Sequence, residues 1–174
     1  MKVLDVASGT GVVAITVARA GAMVTALDLT PQLLERAKEN ARIAQVQVEW
    51  HEGDVEQLPF PDAELDAVLS QFWHIFPPRP EVAVAEMLRV LKAGGTIAFS
   101  TWLPEVLVGQ TMALAQKFAP APPAGAVPPV LWGDPKVIEQ RLGPGCREYP
   151  VPASHDAGAG PEGAWRTSAG TWSV

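Results

Sequence analysis

Apolar positions along this chain fall into short continuous runs separated by glycine, proline and carboxylate breaks. Val3–Ala7 is apolar except for Asp5, the pattern of a parallel strand buried on both faces. Gly9 and Gly11 break the run, and Val12–Ala20 then reads as a buried helix closed by Gly21. Met23–Leu27 is a second strand, ended by Asp28. Thr30-Pro31 pairs a hydroxyl N-cap with proline at the first helical position and opens a helix to about Ala44. Leu33, Leu34, Ala37 and Ala41 share one face of it.

Val46–Trp50 alternates and predicts a third strand, followed by Glu52-Gly53-Asp54. Leu65–Ser70 is a fourth strand after the Pro59, Pro61 and Asp62 loop. Glu81–Leu91 is amphipathic, with Val82, Ala85, Leu88 and Leu91 in helical register, and Lys92-Ala93-Gly94-Gly95 reads as a helix stop and turn. Thr96–Thr101 is a fifth strand, and Glu105–Phe118 is helical. A proline-rich loop over Ala119–Pro129 precedes a short helix from Asp134-Pro135 to about Leu142.

This succession predicts an α/β, Rossmann-like three-layer sandwich with a mostly parallel sheet. Right-handed crossovers give strand order 3-2-1-4-5, with a ligand crevice at the carboxyl ends of strands 1, 2 and 4. The glycine turn, Asp28, Asp54 and Ser70–His74 all fall at such ends. Residues 1–142 form the expected core domain. From Gly143 to Val174 there is no Leu, Ile, Met or Phe, and Gly, Ala, Pro and Ser dominate. Such a tail buries too little apolar area to offset its ordering entropy, so 143–174 is expected to be disordered and to add no strand.

The 174 residues suit one domain, and 48% hydrophobic residues suffice for a core. A net charge of -6 with no Lys/Arg block argues against a nucleic-acid partner. The single Cys146 excludes an internal disulfide, and three dispersed histidines argue against a structural metal. Ala18-Arg19-Ala20 resembles a signal-peptide cleavage site, but Asp5 and the glycine turn interrupt the apolar stretch before it. Without an uncharged apolar run of membrane-spanning length, no membrane insertion is expected and a cytoplasmic location is the default.

Gly9-Thr10-Gly11-Val12-Val13-Ala14 fits G-x-G-x-x-A, which a ligand-free strand-to-helix turn also satisfies. Asp28 adds a carboxylate placed to accept both hydroxyls of a ribose. Asp5 discriminates between cofactors. A dinucleotide would lay its pyrophosphate on the turn, where a neighbouring carboxylate repels it. S-adenosylmethionine has no phosphate and carries a sulfonium and an ammonium. Asp5 is also readable as a cap for the turn amides, and the two roles are compatible.

Val3–Gly11, Ala26-Leu27-Asp28, Glu52–Phe60, Asp66–Ser70 and Arg89–Gly95 together resemble the class I S-adenosylmethionine-dependent methyltransferases. The flavour is that of the small-molecule group with the ubiquinone and menaquinone C-methylases, over roughly Val3 to Leu142. The resemblance implies that Ala7, Gly9 and Gly11 present backbone to the methionine part and that Asp5 orients the turn and the ammonium. It implies Asp28 on the ribose, Leu29 on the adenine, Asp54 accepting from the adenine amine and the Val55 amide donating to the ring. Ser70 and Gln71 would border the departing methyl group. Ala7 stands where the family often has glycine, and the lesser alternative for Asp54 is a cap for the turn after the third strand.

Methyl transfer needs alignment more than acid–base help. His74 is the histidine near the crevice and the candidate base, or else a packed loop residue among Phe72, Trp73 and Phe76. That aromatic cluster would line an acceptor pocket or pack a hinge. The family usually has helices before strand 1 and two further strands after the last helix. The chain therefore reads as a methyltransferase core without an N-terminal lid and C-terminal sheet strands, its fifth strand an open edge. The expected partner is a small-molecule methyl acceptor. Two alternatives stay open: a cofactor-binding, catalytically impaired fragment, and an NAD-dependent oxidoreductase.

Overall fold

The computed structural model describes residues 1–72, 76–119, 128–143, 146–149 and 167–173. Its elements in chain order are β1 (Lys2–Val6), α1 (Val12–Arg19), β2 (Met23–Asp28), α2 (Pro31–Ala44), β3 (Glu49–Glu52), β4 (Leu65–Gln71) and α3 (Pro80–Val90). There follow β5 (Leu91–Trp102), α4 (Leu107–Gln116), a short 3-10 turn (Pro129–Gly133), α5 (Pro135–Leu142), β6 (Arg147–Tyr149) and β7 (Thr167–Ser173).

One sheet runs in the order β3-β2-β1-β4-β5-β7-β6. Its first five strands are parallel in the expected 3-2-1-4-5 order. Successive β1 side chains serve opposite layers. Leu4 and Val6 join a core with Val68, Met87, Val90, Ile97 and Trp132 on the α3 and α5 face. Val3 packs with Ala14, Val24, Ala26 and Ala67 on the α1 face. Burial on both faces is why the strands read as unbroken apolar runs. Among the described residues no helix is long and apolar enough to cross a membrane.

The expectation that the sheet ends at its fifth strand is corrected. β7 pairs antiparallel with β5 from Thr96↔Ser173 to Trp102↔Thr167, and β6 pairs antiparallel with β7. Both lie in the tail judged too poor in apolar residues to order. The physical reason is that β5 presents a row of backbone donors and acceptors, and pairing them requires a chain without proline rather than an apolar one. Residues 167–173 supply it; residues 150–166 lie outside those described.

Smaller departures have local causes. The third strand starts at Glu49 rather than Val46, because Gln45 adopts φ 56° and the Val46 amide closes α2 on the Ala41 carbonyl at 3.1 Å. Thr30 makes no side-chain cap; the Asp28 carboxylate receives the Thr30 amide instead. α3 buries Ala83, Val84, Met87 and Val90, a stripe one position away from the expected register. That rotation turns Glu86 and Arg89 toward the 58–62 loop. The Arg89 guanidinium donates to the Leu58 and Phe60 carbonyls at 3.0 and 2.8 Å. Lys92–Gly95 is no turn between elements but an irregularity at the start of β5, where pairing jumps from Leu65↔Leu91 to Ala67↔Thr96.

Gly11 shows why the glycine turn is spelled as it is. It has φ 84°, and a Cβ there would meet the Trp50 ring at 2.7 Å and Ala37 at 3.2 Å. Gly21 has φ 88° with nothing near its would-be Cβ. Gly21→Ala therefore reports the backbone cost alone, about 1 kcal/mol. Gly11→Ala adds a clash and should cost about 3 kcal/mol. Urea unfolding of both variants checks this; equal losses would show that Gly11 is there for its backbone angle only.

Candidate functional site

The carboxyl ends of the parallel strands open onto a cavity of about 390 Å³. Ala7 after β1, Asp28 and Leu29 at the end of β2, and Gly53, Asp54 and Val55 after β3 form one side. Phe76, Pro77 and Pro78, beyond β4, form another, and Thr30 and Leu33 close it from α2. Two carboxylates line it, and no Lys or Arg is among its described walls.

Asp28 organises this site. It is 6% exposed. Its Oδ2 accepts from the Gly9 amide at 2.7 Å and its Oδ1 from the Thr30 amide at 2.8 Å. One carboxylate thus holds the glycine turn and the entry to α2 together. The turn closes on itself through Gly11 N donating to the Ser8 carbonyl at 2.9 Å, and Asn40 of α2 donates to the Thr10 carbonyl at 3.0 Å. Ala7 and Gly9 both take positive φ, 52° and 54°. This gives the family's frequent glycine at Ala7 a backbone reason.

Asp5 lies behind the turn rather than in the cavity wall. It is 1% exposed, and its Oδ2 accepts from the Ala14 amide in the first turn of α1 at 2.9 Å. Its Oδ1 is buried without a hydrogen-bond partner, and so is the Ser8 hydroxyl of the glycine turn. Burial pushes the Asp5 carboxyl up to about 7; the Ala14 amide opposes this and the nearby Asp28 charge adds to it. The expected repulsion of a pyrophosphate by Asp5 is thereby replaced with a different obstacle. Asp5 occupies a first-turn amide of α1, one of the donors a phosphate would use at a helix N-terminus.

Leu29 is 67% exposed, a large apolar side chain at the cavity mouth. Asp54 caps its own turn, with Oδ1 accepting from the Glu56 amide at 2.9 Å, and also lines the cavity. Val55 is buried against the cavity at 8% exposure. The Ser70 hydroxyl donates to the Val6 carbonyl at 2.9 Å, tying the ends of β4 and β1. Neither Ser70, Gln71, Gly9 nor Gly11 is part of the cavity wall. Phe72, at φ 64°, stacks on Trp102 with ring centres 4.1 Å apart, whereas Phe76 faces the cavity. Trp73 and His74 lie outside the described residues.

Sequence reasoning missed Thr30, Leu33, Gly53, Pro77 and Pro78 as cavity walls. Leu33 reads as part of the core stripe of α2, but its place in the first turn of that helix brings it to the cavity. The support from Asn40, Glu56 and Arg79 had no local signal, because each acts on a segment distant in sequence.

The comparisons with known proteins agree with this architecture. Residues 3–95 match the family described as Methyltransferase domain. An uncharacterized protein of Mycobacterium tuberculosis is 45% identical over 132 residues, covering 76% of this chain and 48% of that protein. The demethylmenaquinone methyltransferase of Deinococcus radiodurans is 37% identical, over 59% of this chain and 44% of its own length. The chain spans about half the length of the curated relatives it matches. A crystal structure of a SAM-dependent methyltransferase from Aquifex aeolicus superposes with TM-score 0.67 over 99% of this chain and 81% of the other. At 20% identity, that likeness speaks to the fold.

The raised Asp5 carboxyl makes a signed prediction. Between about pH 4 and about pH 7 the folded chain holds a proton that the unfolded chain has lost, so this group's contribution to stability falls as pH rises through that window. Glu86, held below the usual range by Arg89, acts in the opposite direction at acid pH. Asp5→Asn keeps an acceptor for Ala14 and removes the titration. Unfolding free energy measured from pH 4 to 8 should decline less with pH in Asp5→Asn than in the parent. Parallel curves would show that Asp5 is ionised throughout.

Proposed function

The chain belongs to the class I S-adenosylmethionine-dependent methyltransferases, and from that premise we propose that it moves a methyl group from S-adenosylmethionine to a small-molecule acceptor. The observation that carries the reading is the cavity at the strand ends, lined by Asp28 and Asp54 without a cation among its described walls. That donor set suits a phosphate-free, positively charged ligand. The same walls offer nothing to pair with a doubly negative pyrophosphate, which weighs against the NAD alternative.

S-adenosylmethionine supplies an electrophilic methyl group on a sulfonium. The chain's residues supply position. Asp28 holds the glycine turn with one oxygen and the start of α2 with the other, and each retains a lone pair for a ribose hydroxyl. Leu29, Leu33 and Val55 offer apolar walls to a flat base, and Asp54 offers an acceptor to its amine. Ala7, Gly9 and Gly11 shape the turn for the methionine part. Asp5, with one unpaired buried oxygen, orients that turn and favours an ammonium beyond it. Ser70 holds the β1 and β4 ends in register, and Gln71 follows it at the end of β4. Phe76, with Phe72 and Trp73 on the same segment, is assigned to the acceptor side, and His74 to proton removal where the acceptor needs it.

Calorimetry with S-adenosylhomocysteine and NAD tests the ligand class. The homocysteine product should bind and NAD should not; NAD binding alone overturns the proposal. Asp28→Ala should weaken the product's affinity by about 10- to 100-fold, the worth of charge-assisted hydrogen bonds to the ribose. A labelled-methyl assay across quinol, phenol, amine and thiol acceptors then separates transfer from a catalytically impaired, cofactor-binding core.

A further inference from the structure

We propose that Glu56 is a positioning residue that couples the two sides of the cavity. The inference rests on the cofactor reading above. Glu56 follows Asp54 and Val55 on one side; Arg79 follows Phe76, Pro77 and Pro78 on the other. The Glu56 side chain is 3% exposed, and its carboxylate accepts two hydrogen bonds from Arg79 and pairs with its guanidinium. Oε1 accepts from the Arg79 backbone amide at 2.7 Å and Oε2 from Nε at 2.8 Å, with Nη2 in ion-pair contact with Oε2 at 2.7 Å.

A carboxylate buried this far is costly unless its lone pairs are satisfied, and an apolar residue of like size would serve packing better. The placement of this ion explains its use. Arg79 is the N-cap of α3 and makes no cap with its own side chain. The Glu56 carboxylate therefore sits at the positive end of the helix, where a negative charge is favoured. The Glu56 amide in turn donates to Asp54 Oδ1, so Asp54, Glu56 and Arg79 form one continuous chain of hydrogen bonds across the cavity rim. The Arg79 side chain is 65% exposed, so solvent screens the guanidinium half of the contact, and the backbone half carries most of the coupling.

This clamp is separable from folding. The same loop is held to α3 a few residues further on, where Glu86 Oε2 accepts from the Leu58 amide at 2.8 Å and Arg89 donates to the Leu58 and Phe60 carbonyls. Loss of Glu56 leaves that attachment in place.

The test uses the full chain with Glu56→Ala, Glu56→Gln and Arg79→Ala, read by amide hydrogen exchange and by calorimetry with S-adenosylhomocysteine. Glu56→Ala should speed exchange at the Phe76 and Arg79 amides as well as at 54–57, and weaken the ligand about tenfold. Glu56→Gln, which keeps an acceptor for the Arg79 amide, should recover most of both, and Arg79→Ala should lose less than Glu56→Ala. Faster exchange confined to 54–57, or affinity unchanged in Glu56→Ala, overturns the coupling. Coupled exchange in a chain that binds no S-adenosylhomocysteine sustains the clamp and overturns the cofactor reading instead. If Glu56→Ala does not fold, Glu56→Asp decides, because its shorter side chain takes the acceptor away from the Arg79 amide: faster exchange at the Phe76 and Arg79 amides supports the proposal, and exchange there equal to the parent overturns it.

Discussion

The arrangement at the strand ends depends on one carboxylate. Asp28 ends β2, accepts the Gly9 amide with one oxygen and the Thr30 amide with the other, and is almost wholly buried. Without it, the buried Gly9 amide would be left unpaired away from water and the Thr30 amide would lose its partner at the start of α2. With it, the glycine turn and the start of α2 are held at a fixed distance from the sheet. The turn's own spelling follows from the same closeness: Gly11 lies against Trp50 and Ala37, where a methyl group does not fit.

Asp5 shows how burial changes the chemistry a residue can do. In the open, a carboxylate at the end of a strand is a negative charge facing a ligand. Here it is enclosed, bound to the Ala14 amide on one oxygen and unpaired on the other, and its proton is held to near neutrality. It occupies one of the first-turn amides of α1 instead of presenting a charge at the cavity wall. The like charge of Asp28 nearby raises the cost of ionising it further.

The cavity's far side is built by long-range pairing. Glu56 takes up the Arg79 amide at the start of α3, Glu86 on α3 takes up the Leu58 amide, and Arg89 reaches back to Leu58 and Phe60. These contacts bring a proline-rich segment after β4 against the turn after β3. The sheet itself is completed from the other end of the chain, where β7 runs along the whole carboxyl half of β5. Both features are satisfied backbone groups first and packed side chains second.

The five parallel strands, their order, the glycine turn and the carboxylates at strand ends were legible in the sequence. Each is a local statement: an apolar run, a break, a residue that tolerates positive φ. Leu29, Asp28 and Asp54 could be placed on the cavity for the same reason, since the end of a buried strand points to the crevice. The stripe that α3 buries, the start of β3 and the strands in the tail were not legible. Val82, Ala85 and Leu88 are as apolar as the buried Ala83, Val84 and Met87, and the choice between them was made by Glu86 and Arg89 finding the 58–62 loop. Sequence by itself determined which segments form the parallel strands and where the glycine turn and its carboxylates fall, because hydrophobic period and residue type belong to single residues. Tertiary structure alone decided which polar groups pair across the fold and where the sheet ends, because a backbone donor is satisfied by whatever acceptor folding brings to it.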